Sequence, residues 1–291
     1  MGDAILYVAM FSASVLSGML GVGVGFAAVP ILGVTGMGLG NGVQPAALLL
    51  NGVTALVSAV TFARAGYIDW RQSYRLALVA AIFSPLGAFA AKWVQQSVLW
   101  VIYFVAIFGA IYLLVLHHRM RKSQEKPFGT VLLLSVPVSA IGGLLGVGPG
   151  ILLVPVLIIS GFNPRAAAGM TSVAVSASSF VSLARHLGHT GIDVGAVLPL
   201  VLVSAAGAYL GGYLSSIRVP EAVLRQTFVV VIIALSAYTG ISIGEEKLQQ
   251  AESYGNCGER TVLVGTRPSN VGYSANEACA SLLPRWFSAN P

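Results

Sequence analysis

Long uncharged apolar stretches alternate with short polar ones along most of the chain. No Asp, Glu, Lys or Arg occurs in residues 4–63, 127–164, 166–184, 194–217 or 226–244. A membrane crossing takes about 20 apolar residues, so these stretches hold several spans rather than one anchor. The pattern predicts a first hydrophobic unit at about residues 4–36, then spans near 44–64, 74–93 and 97–117. It then starts again, with a unit near 128–160 and spans near 164–187, 193–214 and 222–243. Both opening units are longer than a straight crossing needs, and glycines interrupt both. Each reads as a helix followed by a short re-entrant piece, which hydrocarbon depth tolerates only inside protein or beside a wet cavity. The first unit has no basic leader or small-residue cleavage site, so it reads as a retained span. From residue 245 the pattern collapses into a polar, poorly ordered tail, with a short strand or anchor at 261–264 left open.

The restart is a duplication. Residues 17–32, SGMLGVGVGFAAVPIL, return as residues 142–157, GGLLGVGPGILLVPVL, with nine of sixteen positions identical. Gly21, Gly23, Gly25 and Pro30 in the first copy match Gly146, Gly148, Gly150 and Pro155 in the second. Glycine and proline are the poorest helix formers, so breaks are expected at matching depths. The likeness continues: SPLGAF from Ser84 to Phe89 echoes SAAGAY from Ser204 to Tyr209, and Gly66 to Asp69 echoes Gly191 to Asp193. The expected fold is an all-α integral membrane protein, with two homologous repeats of about four hydrophobic helical elements each and broken or re-entrant Gly-rich helices. Residues 1–118 form the first repeat, 119–126 a basic cytoplasmic linker, 127–244 the second repeat and 245–291 the tail.

Composition agrees: 56% of residues are hydrophobic, 9% are charged and the mean hydropathy is +0.83, whereas soluble chains carry about a quarter charged residues. The net charge of +6 does not imply nucleic-acid binding. Its basic residues are dispersed at span ends, as positive-inside bias requires. The segment HHRMRKSQEK at 117–126 is assigned to the cytoplasm of a multi-pass inner-membrane protein. If each glycine-rich unit crosses once, Arg64, Arg71, Arg75 and Arg185 share that side, both termini lie inside, and Arg218 and Arg225 fall outside. If the unit crosses and returns, the repeats are inverted rather than parallel. Cys257 and Cys279, both in the tail, support a disulfide only in an oxidising compartment.

Paired interruptions at corresponding places in two repeats point to a substrate site in transporters. Breaks at Gly21, Gly23, Gly25 and at Gly146, Gly148, Gly150 would expose helix N-termini, whose orphan N–H groups suit an anion without any charged side chain. The competing role for these glycines is close helix packing. Asn51, Thr54 and Ser58 share one helix face, and Ser172, Ser176 and Ser179 share the matching face. Hydroxyls there can also bond their own helix, so Asn51, Thr171 and Ser172, nearest the breaks, are the stronger candidates, with Thr54 as a further substrate-binding candidate. Arg64 and Arg185 end the same two helices as interfacial anchors, with anion attraction at a cavity mouth as the second reading. Asp69 and Asp193 each follow a turn glycine and read as helix caps. His117, His118, His186 and His189 lack the carboxylate or thiol company of a metal site. No nucleophile has a plausible His partner and no coenzyme fingerprint occurs, so no enzyme, cofactor or metal is expected.

The glycine runs with their following prolines, Gln44-Pro-Ala-Ala, the run from Asn163 to Ser172 (NPRAAAGMTS) and Gly66-Tyr-Ile-Asp-Trp70 resemble the TauE/SafE family of sulfite and organosulfonate exporters, in the toluenesulfonate uptake permease superfamily. The resemblance covers roughly residues 5–243. It implies a secondary transporter moving sulfite, sulfoacetate or taurine-like anions, as an exporter. Two departures stand out. Val24 and Pro149 occupy the middle position of a usual Gly-Gly-Gly, and Leu50-Asn51 stands where the family tends to have a pair like Thr171-Ser172. The expected partners are a small anionic substrate and the lipid bilayer, with no nucleic acid, and a homo-oligomer is left open. The rival readings are a membrane-embedded scaffold without transport and a carrier for another small organic anion.

Overall fold

A computed structural model describes residues 2–33, 43–90, 128–144, 148–186 and 194–217, with isolated positions between 93 and 109 and between 219 and 230. Apart from those isolated positions, the spans expected at 97–117 and 222–243 lie outside the described residues, as do the linker, Gly146, Asp193, His117, His118, His189, both cysteines and the tail. So do the side chains of Arg185 and His186. The chain divides into Met1–Ile233 and Ala234–Pro291, and only the first unit is described.

Among the described residues, eight helices follow the hydrophobic pattern: α1 (Gly2–Leu20), α2 (Gly25–Gly33), α3 (Gln44–Arg64), α4 (Trp70–Ala90), α5 (Phe128–Leu144), α6 (Gly150–Ile159), α7 (Pro164–His186) and α8 (Val194–Ile217). Four of them are long and apolar enough to cross a membrane. The protein is an all-α, multi-pass membrane protein. Each expected opening unit is two helices, α1 with α2 and α5 with α6. The second members have 9 and 10 residues, about 14–15 Å at 1.5 Å per residue, or half a hydrocarbon core.

The boundaries have local causes. Gly21 sits at φ 68° and lets the Val22 N–H return to the Ser17 carbonyl at 3.3 Å, which closes α1 as a left-handed glycine cap. Gly66, at φ 79°, closes α3 the same way, with the Tyr67 N–H on the Phe62 carbonyl at 3.0 Å. The Asp69 carboxylate accepts the Arg71 N–H at 3.0 Å and the Gln72 N–H at 3.3 Å. It is therefore the expected cap, and it starts α4 at Trp70, four residues before the hydrophobic pattern alone suggests. Asn163 does the same for α7, accepting the Arg165 N–H at 2.9 Å.

Packing separates inner from outer helices. The spanning windows of α3 and α7 are 61% and 67% buried, against 39% for each of α4 and α8. Trp70, Tyr74, Leu78, Ile82 and Leu86 form an exposed apolar stripe along α4, at the four-residue spacing of one helix face and suited to lipid. α2 lies among Met10, Leu50, Val197 and Leu200, and its own Ala28 and Leu32, with Val24 just before it, are fully buried. Its break is thus enclosed by protein, the condition for non-helical backbone at this depth.

α3 and α7 pack antiparallel: Asn51 bonds Ser179, Gly52 faces Phe180, and Phe62 faces Gly169. Arg64 therefore lies at one end of this pair and the Arg185 end of α7 at the other. Of the two arrangements that the sequence leaves open, this geometry fits the one in which each glycine-rich unit crosses and returns, and not the one that puts both arginines on the same side.

Further contacts also pair the two halves crosswise, α1 on α8 and α5 on α4, while α4 also packs on α7 and α3 on α8. A Cβ on Gly18 would stand 2.7 Å from the Ala208 Cα, and one on Gly143 would stand 2.7 Å from the Ser84 Cα. Gly211 lies over Val15 and Met19 as Gly87 lies over Ala140 and Leu144. Ser84 and Gly87 thus correspond in packing to Ala208 and Gly211. The sequence echo of Ser84 with Ser204 is one helical turn out of register. Gly207 and Gly211 recur at that spacing, so composition alone does not choose between them, whereas the backbone crossing does.

Candidate functional site

The two breaks meet at the middle of the α3–α7 pair. Gly23 and Gly148 are the matching positions, and their φ angles are 81° and 80°. A Cβ on Gly150 would stand 2.6 Å from the Val22 carbonyl oxygen and 3.0 Å from a Val175 methyl carbon. A Cβ on Gly25 would stand 2.8 Å from the Asn51 amide carbon, and one on Gly148 would stand 3.7 Å from Asn51 Nδ2. One side chain, Asn51, thus reaches the start of α2 and the approach to α6.

Asn51 is held at both ends of its amide. Its Oδ1 accepts the Gly25 N–H at 2.7 Å, and its Nδ2 donates to Ser179 Oγ at 2.8 Å. One turn on, Thr54 Oγ1 accepts the Val24 N–H at 3.2 Å and donates to the Leu50 carbonyl at 2.7 Å. Two backbone donors that open α2 therefore already have acceptors from α3. These acceptors satisfy groups that a helix start otherwise leaves unpaired. Ser58 bonds the Thr54 carbonyl at 2.8 Å, so its role is within the helix.

The second half differs. Ser172, in the place of Asn51, turns to the Gly169 carbonyl of its own helix at 2.7 Å. Val175, in the place of Thr54, offers only methyls. The residue at the capping position of α6 is Pro149, which makes no side-chain cap. Thr171 is fully buried and its Oγ1 has no hydrogen-bond partner. Other buried unpartnered hydroxyls belong to Ser14 and Ser17 on α1, Ser73 on α4, Ser139 on α5, and Ser204 and Ser215 on α8.

Gly21, Gly23, Gly25, Asn51, Thr54, Gly148, Gly150, Thr171 and Ser172 lie on the segments that converge here. Gly146 lies outside the described residues. Arg64 is exposed at the end of α3, ten residues beyond Thr54 and thus about 15 Å along the axis. Arg185 lies equally far from Val175, in the opposite direction. Neither is at the breaks.

The cation that sequence reasoning missed is Arg165. Its guanidinium lies 5.4 Å over the Tyr67 ring. Nη1 donates to the Tyr67 hydroxyl at 2.9 Å and Nη2 to the Val219 carbonyl at 2.8 Å, while its buried Nε has no partner. It ties the α3–α4 turn, the start of α7 and the segment after α8 together. A signal for it existed. A cation in the first turn of a helix opposes the macrodipole and needs another reason to be there. No group of three or more His, Cys, Asp or Glu suited to a metal occurs among the described residues.

Comparison with known proteins gives one family. The model described as sulfite exporter TauE/SafE matches residues 6–239. A probable membrane transporter protein of Xylella fastidiosa (strain 9a5c) is 25% identical over 76% of this chain and 88% of its own. One from Methanocaldococcus jannaschii is 24% identical over 63% of this chain and 72% of its own. A probable membrane transporter protein of a Sinorhizobium species is 35% identical over 32% of this chain and 36% of its own. No solved structure matches the chain.

Proposed function

Because the chain belongs to the sulfite exporter TauE/SafE family and is a membrane transporter, we propose that it is a secondary carrier for a small sulfur oxyanion or organosulfonate. The substrate site is the junction of the two glycine breaks, and the direction, export from the cytoplasm, follows the family's description. The observation that carries this reading is the convergence of both breaks on Asn51 at mid-length of α3 and α7. Two half-membrane helices with facing N-termini give an anion dipoles and amide donors at the depth where it most needs them. The crosswise pairs α1–α8 and α4–α5, locked by glycine contacts, are the units that move against the central pair during alternating access.

The test is flux of labelled sulfite, sulfoacetate and taurine in proteoliposomes. Saturable flux of at least one anionic sulfur compound is expected, abolished by excess of the same unlabelled anion. Flux confined to an unrelated organic anion would move the assignment to another substrate class, and none for any oxyanion would end the carrier reading.

A further inference from the structure

The lipid-facing stripe of α4 begins in two turns that are charged. Trp70 and Tyr74, which head the stripe, are 63% and 64% exposed. Arg71 and Arg75 each follow one of these rings and are exposed beside them, four residues apart and so on one face. The other face of the same turns is buried through Ser73, Leu76 and Ala77. Among the described residues, neither guanidinium has a hydrogen bond or ion pair. Asp69, the nearest carboxylate in the chain, is engaged through Oδ1 by the Arg71 and Gln72 N–H groups. Arg64 closes α3 at this same end of the bundle, and Arg165 joins it there through its bond to Tyr67 in the α3–α4 turn. All four arginines with described side chains therefore lie at one end. Arg165 is turned to Tyr67 and Val219, whereas Arg71 and Arg75 are left facing outward.

We propose that this outer face of α4 is a docking site for the headgroup of an anionic phospholipid, with Arg71 and Arg75 on the phosphate and Trp70 and Tyr74 beside it. The dimensions fit one lipid leaflet. From Leu78 through Ile82 to Leu86 the exposed apolar face runs about 12 Å, within the roughly 15 Å of hydrocarbon that a leaflet provides. Arg75 and Arg71 lie about 4 and 10 Å beyond Leu78 toward the helix start, which is the depth of the headgroup layer. Guanidinium groups present paired donors to phosphate oxygens, and Trp and Tyr rings settle at headgroup level. Each arginine held near an anionic surface strengthens binding by roughly fivefold. The rival occupant is a second copy of the chain. A twofold contact through this face would bring the same arginines of both copies together, and like charges across an interface oppose it. A phosphate between the arginines removes that repulsion. The site lies at the end of the bundle, away from the glycine breaks, so it does not depend on which anion is carried.

The experiment places the full chain in nanodiscs of mixed phosphatidylglycerol and phosphatidylcholine and reads the lipids retained on release by native mass spectrometry. The wild type should retain phosphatidylglycerol in preference, and Arg71→Gln with Arg75→Gln should reduce that preference about tenfold or more. Arg71→Lys with Arg75→Lys should keep most of it, because the charge remains. In phosphatidylcholine alone the double Gln variant should melt with the wild type, since neither side chain has a partner in the protein to lose. Added phosphatidylglycerol should then raise the melting temperature of the wild type more than that of the variant. Equal retention of the two lipids by the wild type would overturn the proposal. So would an equal loss of preference in Arg64→Gln, which would reveal general attraction to the charged end rather than a site on α4. A crosslink between copies at Ile82→Cys, in a chain carrying Cys257→Ser and Cys279→Ser, would give the face to a second copy and overturn it too.

Discussion

Replacing Asn51 with alanine is expected to lower both stability and flux more than any other single side-chain truncation at the breaks. The substitution strips the Gly25 N–H of its acceptor at 2.7 Å and Ser179 of its donor at 2.8 Å. The Ser179 end is buried and the Gly25 end partly so, which limits how far water can replace the lost partners. Each buried group left unpaired costs about 1–3 kcal/mol, so the combined loss is at most about 2–6 kcal/mol. Against a typical total stability of about 5–15 kcal/mol, that is a large fraction. The functional loss has a separate cause. Asn51 fixes the start of α2 against α3 and reaches toward Gly148, so its removal loosens the geometry of both breaks together. Flux per folded molecule should fall tenfold or more, and Asn51→Ser, too short to span Gly25 and Ser179, should not rescue it. Thermal unfolding in detergent, paired with proteoliposome flux normalised to folded protein, checks both parts. A variant with wild-type melting and wild-type flux would show that the amide bridge holds nothing in place.

What could be read in advance was local. The bounds of α3, residues 44–64, followed from hydrophobic length, the early proline and the arginine that ends the run. The interruptions of both opening units followed from glycines that a helix cannot use, and Asp69 as a cap followed from its place after a turn glycine. Pairing between distant segments was not legible, because helical periodicity says which face is apolar and nothing about what covers it. Thus the antiparallel α3–α7 contact, which separates Arg64 from the Arg185 end, emerged only from Phe62 meeting Gly169 and Asn51 meeting Ser179. The one-turn error in matching Ser84 to Ser204 has the same origin. The inequality of the breaks was legible only in part. Leu50-Asn51 against Thr171-Ser172 was visible as a departure from the family pattern, but the partner of Asn51 was not. Arg165 escaped because its partners, Tyr67 and Val219, are distant in the chain and uncharged.

A second large effect is expected from Gly21→Ala, and its cause can be separated by comparison with Gly66→Ala. Both glycines end a helix in the left-handed region, at φ 68° and 79°. An L-residue pays about 1–2 kcal/mol for that conformation at either site. Their surroundings differ. Nothing lies within 4 Å of a Cβ on Gly66, whereas a Cβ on Gly21 would enter the Ala168 backbone of α7, standing 2.7 Å from its carbonyl carbon. That neighbour is main chain in the second turn of α7 and has no rotamer by which to withdraw. Overpacking of this kind adds about 1–3 kcal/mol. Gly66→Ala should therefore fold, melt slightly lower and retain its flux, while Gly21→Ala should melt far lower or fail to fold. Because α7 also carries Thr171 and Val175, any Gly21→Ala protein that does fold should bind sulfoacetate more weakly than Gly66→Ala at matched stability. Equal melting of the two variants would mean that the first break does not press on α7, and with that the close junction of the breaks would lose its support.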